Sequence, residues 1–208
     1  MENIGIAYFT NPALENEPFG KMVEGIMTSV GLSGKVPVRK VDTYKEVTIV
    51  GAGLVGSLCA LYMIRRGYRV GIYERRKDLR SEIITAGKSI NLALSERGWS
   101  ALRKVGIEKE VMKIAIPVYK RIMHDDKGVL TEQAYGNEGQ AIYSVSRAEM
   151  NVLMMNMAEK NGATLYFNQK CIETDLTNAR AIFKNTISEE ISEIQSDLLI
   201  GSDGAFSA

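Results

Sequence analysis

Apolar positions recur with a regular spacing from Glu46 onward. Val47-Thr-Ile-Val50 is a short β-branched run, which is typical of a strand buried in a parallel sheet. A glycine-rich turn follows, and the next apolar stretch, from Leu54 to Arg66, has the length of a helix that Gly67 ends. Arg69-Val-Gly-Ile-Tyr73 is the next extended run. The pattern therefore predicts a compact βαβ unit.

Helical and extended patterns continue to the end of the chain. Two further helices are predicted, Ser95–Val105 with Ser95 as N-cap and Gly106 after its end, and Arg147–Lys160, closed by Asn161-Gly162. Asp125-Asp-Lys-Gly128 has turn chemistry and predicts a hairpin between its flanking strands. The predicted strands are Tyr119–His124, Thr131–Tyr135, Ile142–Val145, Thr164–Phe167, Cys171–Asp175, Ala181–Asn185 and a last one from Asp197 into a tight turn at Gly204. Residues 77–87 are predicted to be a loop.

The first 45 residues follow a different pattern. Prolines and glycines interrupt them, and their periodicity is weak. Phe19–Val30 is compatible with one short amphipathic helix, and the basic run Lys35–Lys40 is typical of a solvated linker. We therefore treat residues 1–45 as a leader of unknown role and residues 46–208 as the folded domain.

Composition narrows the classes of function. The 208 residues carry 26 basic and 25 acidic side chains, so the net charge of +1 gives no reason to expect nucleic acid as a partner. The two cysteines, Cys59 and Cys171, form no Cys-x-x-Cys pair, which argues against a disulfide scaffold or a zinc site. The pattern contains neither a signal peptide nor a membrane-spanning stretch, so a soluble, cytoplasmic protein is expected.

The turn after the first strand has the sequence Gly51-Ala-Gly-Leu-Val-Gly56, which is a G-x-G-x-x-G motif in the required strand–helix context. Gly51 permits the tight turn, Gly53 leaves room for a pyrophosphate, and Gly56 allows close packing of helix on strand. Glu74 lies 18 positions after Gly56, at the end of the second strand. A carboxylate there can accept hydrogen bonds from ribose hydroxyls, which predicts a dinucleotide site and argues against NADP in it.

The glycine motif does not by itself distinguish NAD from FAD, and other segments do. The segment Gly87–Gly98 and the closing segment Leu199–Ser207 resemble the aromatic-ring flavin monooxygenases. A narrower set of runs is similar to the kynurenine 3-monooxygenase family within that class: Gly51–Leu58, Ser89-Ile-Asn-Leu-Ala-Leu-Ser95, Arg97-Gly98, Ile116-Pro117, Tyr135-Gly136 and Ser144-Val-Ser-Arg147. The resemblance begins near Glu46 and continues to the end of the chain. It implies an α/β fold, with a Rossmann-like FAD-binding domain and part of a β-rich substrate-binding region at about residues 118–146.

The resemblance also implies site residues. The family's substrate contacts fall on Arg121, which suits a carboxylate, and on Tyr135. Arg147 suits a pyrophosphate through its planar fork of donors. The residues implied or predicted to bind the cofactor are Gly51, Gly53, Val55, Gly56, Tyr73, Glu74, Arg75, Arg76, Ala93, Arg147, Cys171, Asp203 and Gly204. No protein nucleophile and no metal ligand is implied.

The implied activity is the hydroxylation of L-kynurenine to 3-hydroxykynurenine, with FAD as cofactor, NADPH as co-substrate and O₂ as oxidant. Full-length members are longer, so the chain is expected to lack the second flavin motif, the remaining substrate residues and the C-terminal region. In eukaryotic members, that region anchors the enzyme to the outer mitochondrial membrane. We therefore expect the 208-residue chain to be inactive alone. The alternatives are an inactive dinucleotide-binding fragment, another aromatic-ring flavin hydroxylase and, from another class, a nicotinamide-dependent dehydrogenase.

Overall fold

The computed structural model describes residues 45–81 and 90–207. Of these, residues 45–81 and 151–207 form one compact unit, and residues 90–150 form a second. The strands are β1 Glu46–Val50, β2 Arg69–Tyr73, β3 Asn91–Leu94, β4 Ile116–Val118, β5 Lys120–His124, β6 Leu130–Ala134, β7 Ile142–Ser146, β8 Thr164–Tyr166, β9 Gln169–Asp175, β10 Arg180–Asn185, β11 Ile191–Gln195 and β12 Leu198–Gly201. The α-helices are α1 Leu54–Ile64, α2 Glu96–Lys104, α3 Glu108–Met112 and α4 Arg147–Lys160.

The first unit is built on a four-stranded parallel sheet in the order β12-β1-β2-β8. The central strands are buried on both faces, which explains their continuous apolar runs: Val47, Ile49 and Ile72 are at most 1% exposed. Helix α1 follows β1 and is almost wholly buried. The predicted βαβ unit is confirmed, except that α1 ends at Ile64 rather than Arg66, because residues 65–67 form a turn in which Gly67 has a positive φ of 84°.

A three-stranded antiparallel meander, β9-β10-β11, covers part of the parallel sheet in the first unit. Phe183 and Ala181 of β10 are fully buried and form a cluster with Val50, Tyr73 and Leu199 of three parallel strands. The sequence pattern predicted β9 and β10 but missed β11. Its alternation Ile-Ser-Glu-Ile-Gln contains only two apolar residues, and pairing with β10 determines its extended conformation.

The second unit contains an antiparallel sheet, β3-β7-β4, and the separate hairpin β5-β6. Trp99 of α2 is buried and contacts Tyr143 of β7 edge to face, with ring centroids 5.1 Å apart. The predicted hairpin is confirmed, and Gly128 in its turn has a φ of 78°. The elements β3, α3 and β4 were not predicted as separate elements, since each is five residues or shorter and shows no clear period.

Two local predictions need correction. Ser95 occupies the N-cap position of α2 with an extended backbone, but its side chain makes no capping hydrogen bond. The predicted loop over residues 77–87 contains a short 3-10 turn at Leu79–Ser81, which Arg80 stabilises by pairing with Asp78 and with Glu159 of α4. The rest of that loop, the leader, its predicted helix and its basic run lie outside the described residues.

Candidate functional site

Three parallel strands of the first unit end at the same edge of the sheet, and the predicted cofactor residues follow them. Gly51 comes directly after β1, Glu74 after β2, and residues 202–204 after β12. Ligands of open α/β sheets bind beside the carboxyl ends of the strands, so this edge is the candidate site. The sequence pattern placed these residues correctly, because the strand periodicity fixed where each strand ends.

Gly51 occupies a position that only glycine fits. Its φ is 100°, and a Cβ atom there would lie 2.7 Å from the carbonyl oxygen of Ser202 and 2.9 Å from Cα of Asp203. The Gly51 N–H donates to the Tyr73 carbonyl oxygen at 2.7 Å. The first glycine therefore allows the ends of β1, β2 and β12 to approach each other closely, which confirms its predicted role in the turn.

Gly56 and Gly53 have different surroundings, although both belong to the same motif. A Cβ atom on Gly56 would collide with the Gly51 carbonyl oxygen and lie 2.6 Å from Oγ of Ser202. The predicted close packing of helix on strand is therefore confirmed. At Gly53, by contrast, a Cβ atom would meet no heavy atom within 4 Å, and φ is −74°. The space beside Gly53 fits the predicted approach of a pyrophosphate.

Helix α1 begins at Leu54, directly after Gly53, and Val55 is half-buried in its first turn. The first N–H groups of a helix have no intrahelical partner and lie at the positive end of its dipole. Such a helix start attracts phosphate groups. The open space at Gly53 and the start of α1 together form a cradle whose electrostatic character suits a diphosphate.

The Glu74 side chain is buried, and it is directed at the glycine turn. Its Oε2 accepts a hydrogen bond from the Ala52 N–H at 2.9 Å, and its Oε1 accepts from the Arg76 N–H at 3.0 Å and from Arg76 Nε at 2.8 Å. Burial raises the pKa of the Glu74 carboxyl, but the hydrogen bonds from Arg76 and Ala52 outweigh burial and hold that pKa below its ordinary value. Glu74 is thus an ionised acceptor at the edge of the cradle.

The residues around Glu74 have separate roles. Arg76 is half-exposed and forms an ion pair with Glu74, while the neighbouring Arg75 is exposed. Tyr73 is buried between Tyr166 and Phe183, with ring centroids 4.5 and 4.3 Å apart. Burial, with the charges of nearby groups, raises the pKa of Tyr73 to about 12. Tyr73 contributes its carbonyl oxygen to the turn and its ring to the core.

The segment after β12 contains a residue that the sequence pattern did not single out. Ser202 Oγ lies 2.7 Å from the Val50 carbonyl oxygen and 3.0 Å from that of Gly51, so its hydroxyl joins β12 to the glycine turn. Asp203 accepts a hydrogen bond from the Ser207 hydroxyl at 2.9 Å, and Gly204 has a φ of 84°. The small polar side chain directly before the Asp-Gly pair was the only sequence signal for Ser202.

Cys171 of β9 is buried in the cluster that packs on the sheet. Burial, and the charge of Asp203, raise the pKa of its thiol to about 11, and its Sγ donates to the Glu173 carbonyl oxygen at 3.6 Å. The thiol therefore stays protonated near neutral pH. Any contact of Cys171 with a cofactor, as the family resemblance implies, remains a prediction.

The other four predicted site residues belong to the second unit. Ala93 lies on β3 opposite Ser144 of β7, and Arg147 is the exposed first residue of α4. On the hairpin, Arg121 Nε donates to Oε1 of Gln133 at 2.8 Å. Tyr135 follows β6, is 43% exposed, and donates its backbone N–H to the Tyr119 carbonyl oxygen at 3.0 Å. Their binding roles remain predictions.

Relatives of the chain are found among flavin monooxygenases. It is 45% identical over 163 residues to a kynurenine 3-monooxygenase of Christiangramia forsetii and 40% identical over 165 residues to one of Anopheles gambiae. Both matches cover 78% of this chain, but they cover only 36% and 34% of those relatives. The chain therefore spans about a third of the length of the curated relatives that it matches.

Solved structures share the fold at lower identity. The flavin-dependent monooxygenase PieE, in complex with FAD and substrate, matches 80% of this chain and 31% of its own, with a TM-score of 0.64 and 21% identity. The p-nitrophenol 4-monooxygenase PnpA from Pseudomonas putida matches 81% of this chain and 43% of its own, with a TM-score of 0.65 and 18% identity. Within the described residues, no helix has the length and apolarity to cross a membrane.

A family model provides the last comparison. The model described as "FAD binding domain" matches residues 44–208, which include both units and every predicted site residue. The predicted FAD-binding fold of the flavin monooxygenase type is therefore confirmed, and the cofactor is FAD. This chain belongs to the FAD binding domain family.

Proposed function

We propose that the chain provides the ADP-binding portion of an NADPH-consuming hydroxylase that converts L-kynurenine to 3-hydroxykynurenine. The observation that carries the proposal is the similarity to relatives named kynurenine 3-monooxygenase, which covers 78% of this chain. Two family-specific sequence runs support the same substrate, since Ser89–Ser95 and Ser144–Arg147 resemble that family.

The cofactor cradle supports the proposal in chemical terms. When bound, FAD supplies the oxygen-transfer chemistry, and the chain holds the cofactor in place. The start of α1 and the space at Gly53 would hold the diphosphate, and Glu74 would accept a ribose hydroxyl. None of these residues needs to move a proton during the reaction, so their effect is on binding and orientation.

The hairpin offers chemistry that suits the proposed substrate. L-Kynurenine has an α-carboxylate and an aromatic ring. A guanidinium has five N–H donors in a planar fork, so the amide oxygen of Gln133 does not satisfy Arg121, and a carboxylate can bind to it as well. The exposed ring of Tyr135 would contribute an apolar surface with one polar end.

A chimera tests the proposed activity. Residues 46–208 would replace the matching segment of the Christiangramia forsetii relative, and formation of 3-hydroxykynurenine would be measured with NADPH, alongside FAD content. We expect FAD to be retained and the product to form. A chimera that retains FAD but hydroxylates only other aromatic substrates would contradict the kynurenine proposal and favour another flavin hydroxylase. A chimera that folds but binds no FAD would instead contradict the proposed cofactor site.

A further inference from the structure

Four N–H donors converge on the Glu74 carboxylate. Three of them are short and well placed: the Ala52 N–H to Oε2 at 2.9 Å, the Arg76 N–H to Oε1 at 3.0 Å, and Arg76 Nε to Oε1 at 2.8 Å. The fourth, Arg76 Nη2 to Oε2, is longer at 3.3 Å. Three of the four donors therefore come from Arg76.

An ionised carboxylate offers about four lone-pair sites. All four are used inside this chain, so a ribose hydroxyl can bind to Glu74 only by replacing one of the existing donors. The contact from Arg76 Nη2 is beyond the usual length of an N–H···O hydrogen bond, so it is the one that is replaced at the smallest loss. The Arg76 Nη2 contact is made to Oε2, which is also the oxygen that accepts the hydrogen bond from the Ala52 N–H of the glycine turn.

The remaining contacts of Arg76 would persist when the hydroxyl binds. Arg76 N–H and Nε both bond to Oε1, so they fix the plane of the carboxylate from one side, while Ala52 fixes it from the other. Glu74 is 5% exposed, and a buried charge is costly unless it is paired and hydrogen-bonded. Arg76 meets that requirement with a guanidinium that is itself half-exposed.

We propose that Arg76 is a positioning residue for the adenosine ribose, which holds the Glu74 carboxylate in place through its N–H and Nε while its Nη2 gives up Oε2 to a ribose hydroxyl. The inference rests on the FAD site of the proposed function and deepens it. It assigns Arg76 an action through Glu74 instead of a direct contact with the cofactor's phosphates.

The charged surroundings of Glu74 determine how the proposal depends on pH. In its own segment, the charged group that bonds to the Glu74 carboxylate is Arg76, and the neighbouring cations Arg75 and Lys77 are exposed. The glycine turn presents the backbone N–H of Ala52, and β8 presents the backbone carbonyl of Tyr166, which accepts from the Glu74 N–H at 2.8 Å. Without the Arg76 side chain, only two backbone donors, the N–H groups of Ala52 and of residue 76, would oppose the effect of burial on the carboxylate. The pKa of Glu74 should then rise.

The test measures binding of ADP and of 2′-deoxy-ADP to the full 208-residue chain by calorimetry, from pH 5 to pH 8. The ratio of the two affinities isolates the ribose hydroxyl, because titration of the phosphates affects both nucleotides alike. We expect the wild type to bind ADP roughly tenfold more tightly than 2′-deoxy-ADP. This ratio should not depend on pH, since Glu74 stays ionised. In Arg76→Gln, the ratio should be smaller at pH 8 and should approach one at pH 5.

Two further variants sharpen the test. Arg76→Lys keeps the charge but lacks the planar fork, so its ratio should lie between those of the wild type and Arg76→Gln at every pH. Arg180→Gln is the matched control, because that guanidinium pairs with Asp175 and Glu193 on the meander; it should keep the wild-type ratio. Circular dichroism of each variant verifies its fold, and Arg76→Lys alone decides the question if Arg76→Gln does not fold.

A wild-type ratio at every pH in both Arg76→Gln and Arg76→Lys would overturn the inference. If that unchanged ratio comes with an equal loss of affinity for both nucleotides, Arg76 contacts the phosphates instead. Gly53→Val separates the inference from the proposed function: if that variant still binds ADP, the proposed cofactor site itself is wrong, whatever Arg76 does.

Discussion

The two units hold their predicted site residues in different ways. In the first unit, the backbone builds the cradle: Gly51, Gly56 and Ser202 approach so closely that added atoms would collide. In the second unit, every residue of β5 and β6 is exposed, and Arg121 is held by one amide side chain of its own hairpin. The first arrangement depends on the packed sheet, whereas the second depends on individual side chains. Substitutions at the tightly packed positions of the first unit should therefore affect stability, whereas substitutions in the hairpin should affect binding alone.

The largest expected effect is on folding of the first unit. Gly56→Val would place a side chain against the Gly51 carbonyl oxygen and Oγ of Ser202, and both belong to a packed turn that cannot move freely. We expect a loss of about 3 kcal/mol in the free energy of unfolding, measured by urea denaturation. A variant as stable as the wild type would show that the helix and strand are not packed as tightly as the structure has them.

The second effect separates binding from stability within the same motif. Gly53→Val adds a side chain where no atom lies within 4 Å and where φ is compatible with any residue, so stability should change by less than about 0.5 kcal/mol. Because the side chain would fill the space for the diphosphate, affinity for ADP should fall roughly 100-fold. Calorimetry measures the affinity. Unchanged ADP binding would contradict the placement of the diphosphate.

The third effect concerns pH and Glu74. The folded-state pKa of Glu74 lies below its unfolded value, so its ionised form stabilises the fold above the unfolded pKa, and that stabilisation is lost as pH falls through the lowered folded pKa. Glu74→Gln should reduce stability by about 1–3 kcal/mol at pH 7. The difference between wild type and variant should shrink once the pH falls below about 4. Urea denaturation at several pH values measures it, and a difference that is constant down to pH 2 would count against the assignment.

The smallest effect on stability is expected in the hairpin. Arg121→Ala removes an exposed side-chain contact, so the free energy of unfolding should change by less than about 0.5 kcal/mol. In the chimera, the same substitution should raise KM for kynurenine about tenfold or more, while FAD content stays normal. Lys120→Ala is the matched control, since Lys120 is an exposed cation of the same strand that pairs with Glu132. Equal effects of both substitutions on KM would contradict a specific role for Arg121.

Much of the candidate site could be predicted because its residues follow strand ends. The positions of Gly51, Glu74 and Asp203 come from short apolar runs that strands buried on both faces require. The hairpin was predictable from its turn residues, and α4 from its length and its closing glycine. Short elements such as β4 and α3 were missed, because three to five residues cannot show a period.

By itself, the sequence determined the order of the longer elements, the glycine turn and the family, since these depend on local patterns and short motifs. The tertiary structure decided which donors surround each functional group. Nothing in the pattern predicted that Ser202 would bond to the carbonyl oxygens of Val50 and Gly51, or that Arg76 would bond twice through its side chain to Glu74. The Ser202 contacts are set by the parallel order β12-β1-β2, which brings residues about 150 positions apart to the same edge of the sheet. The Arg76 contact is local, since Arg76 lies two residues after Glu74, but it depends on side-chain conformations that a sequence pattern does not specify.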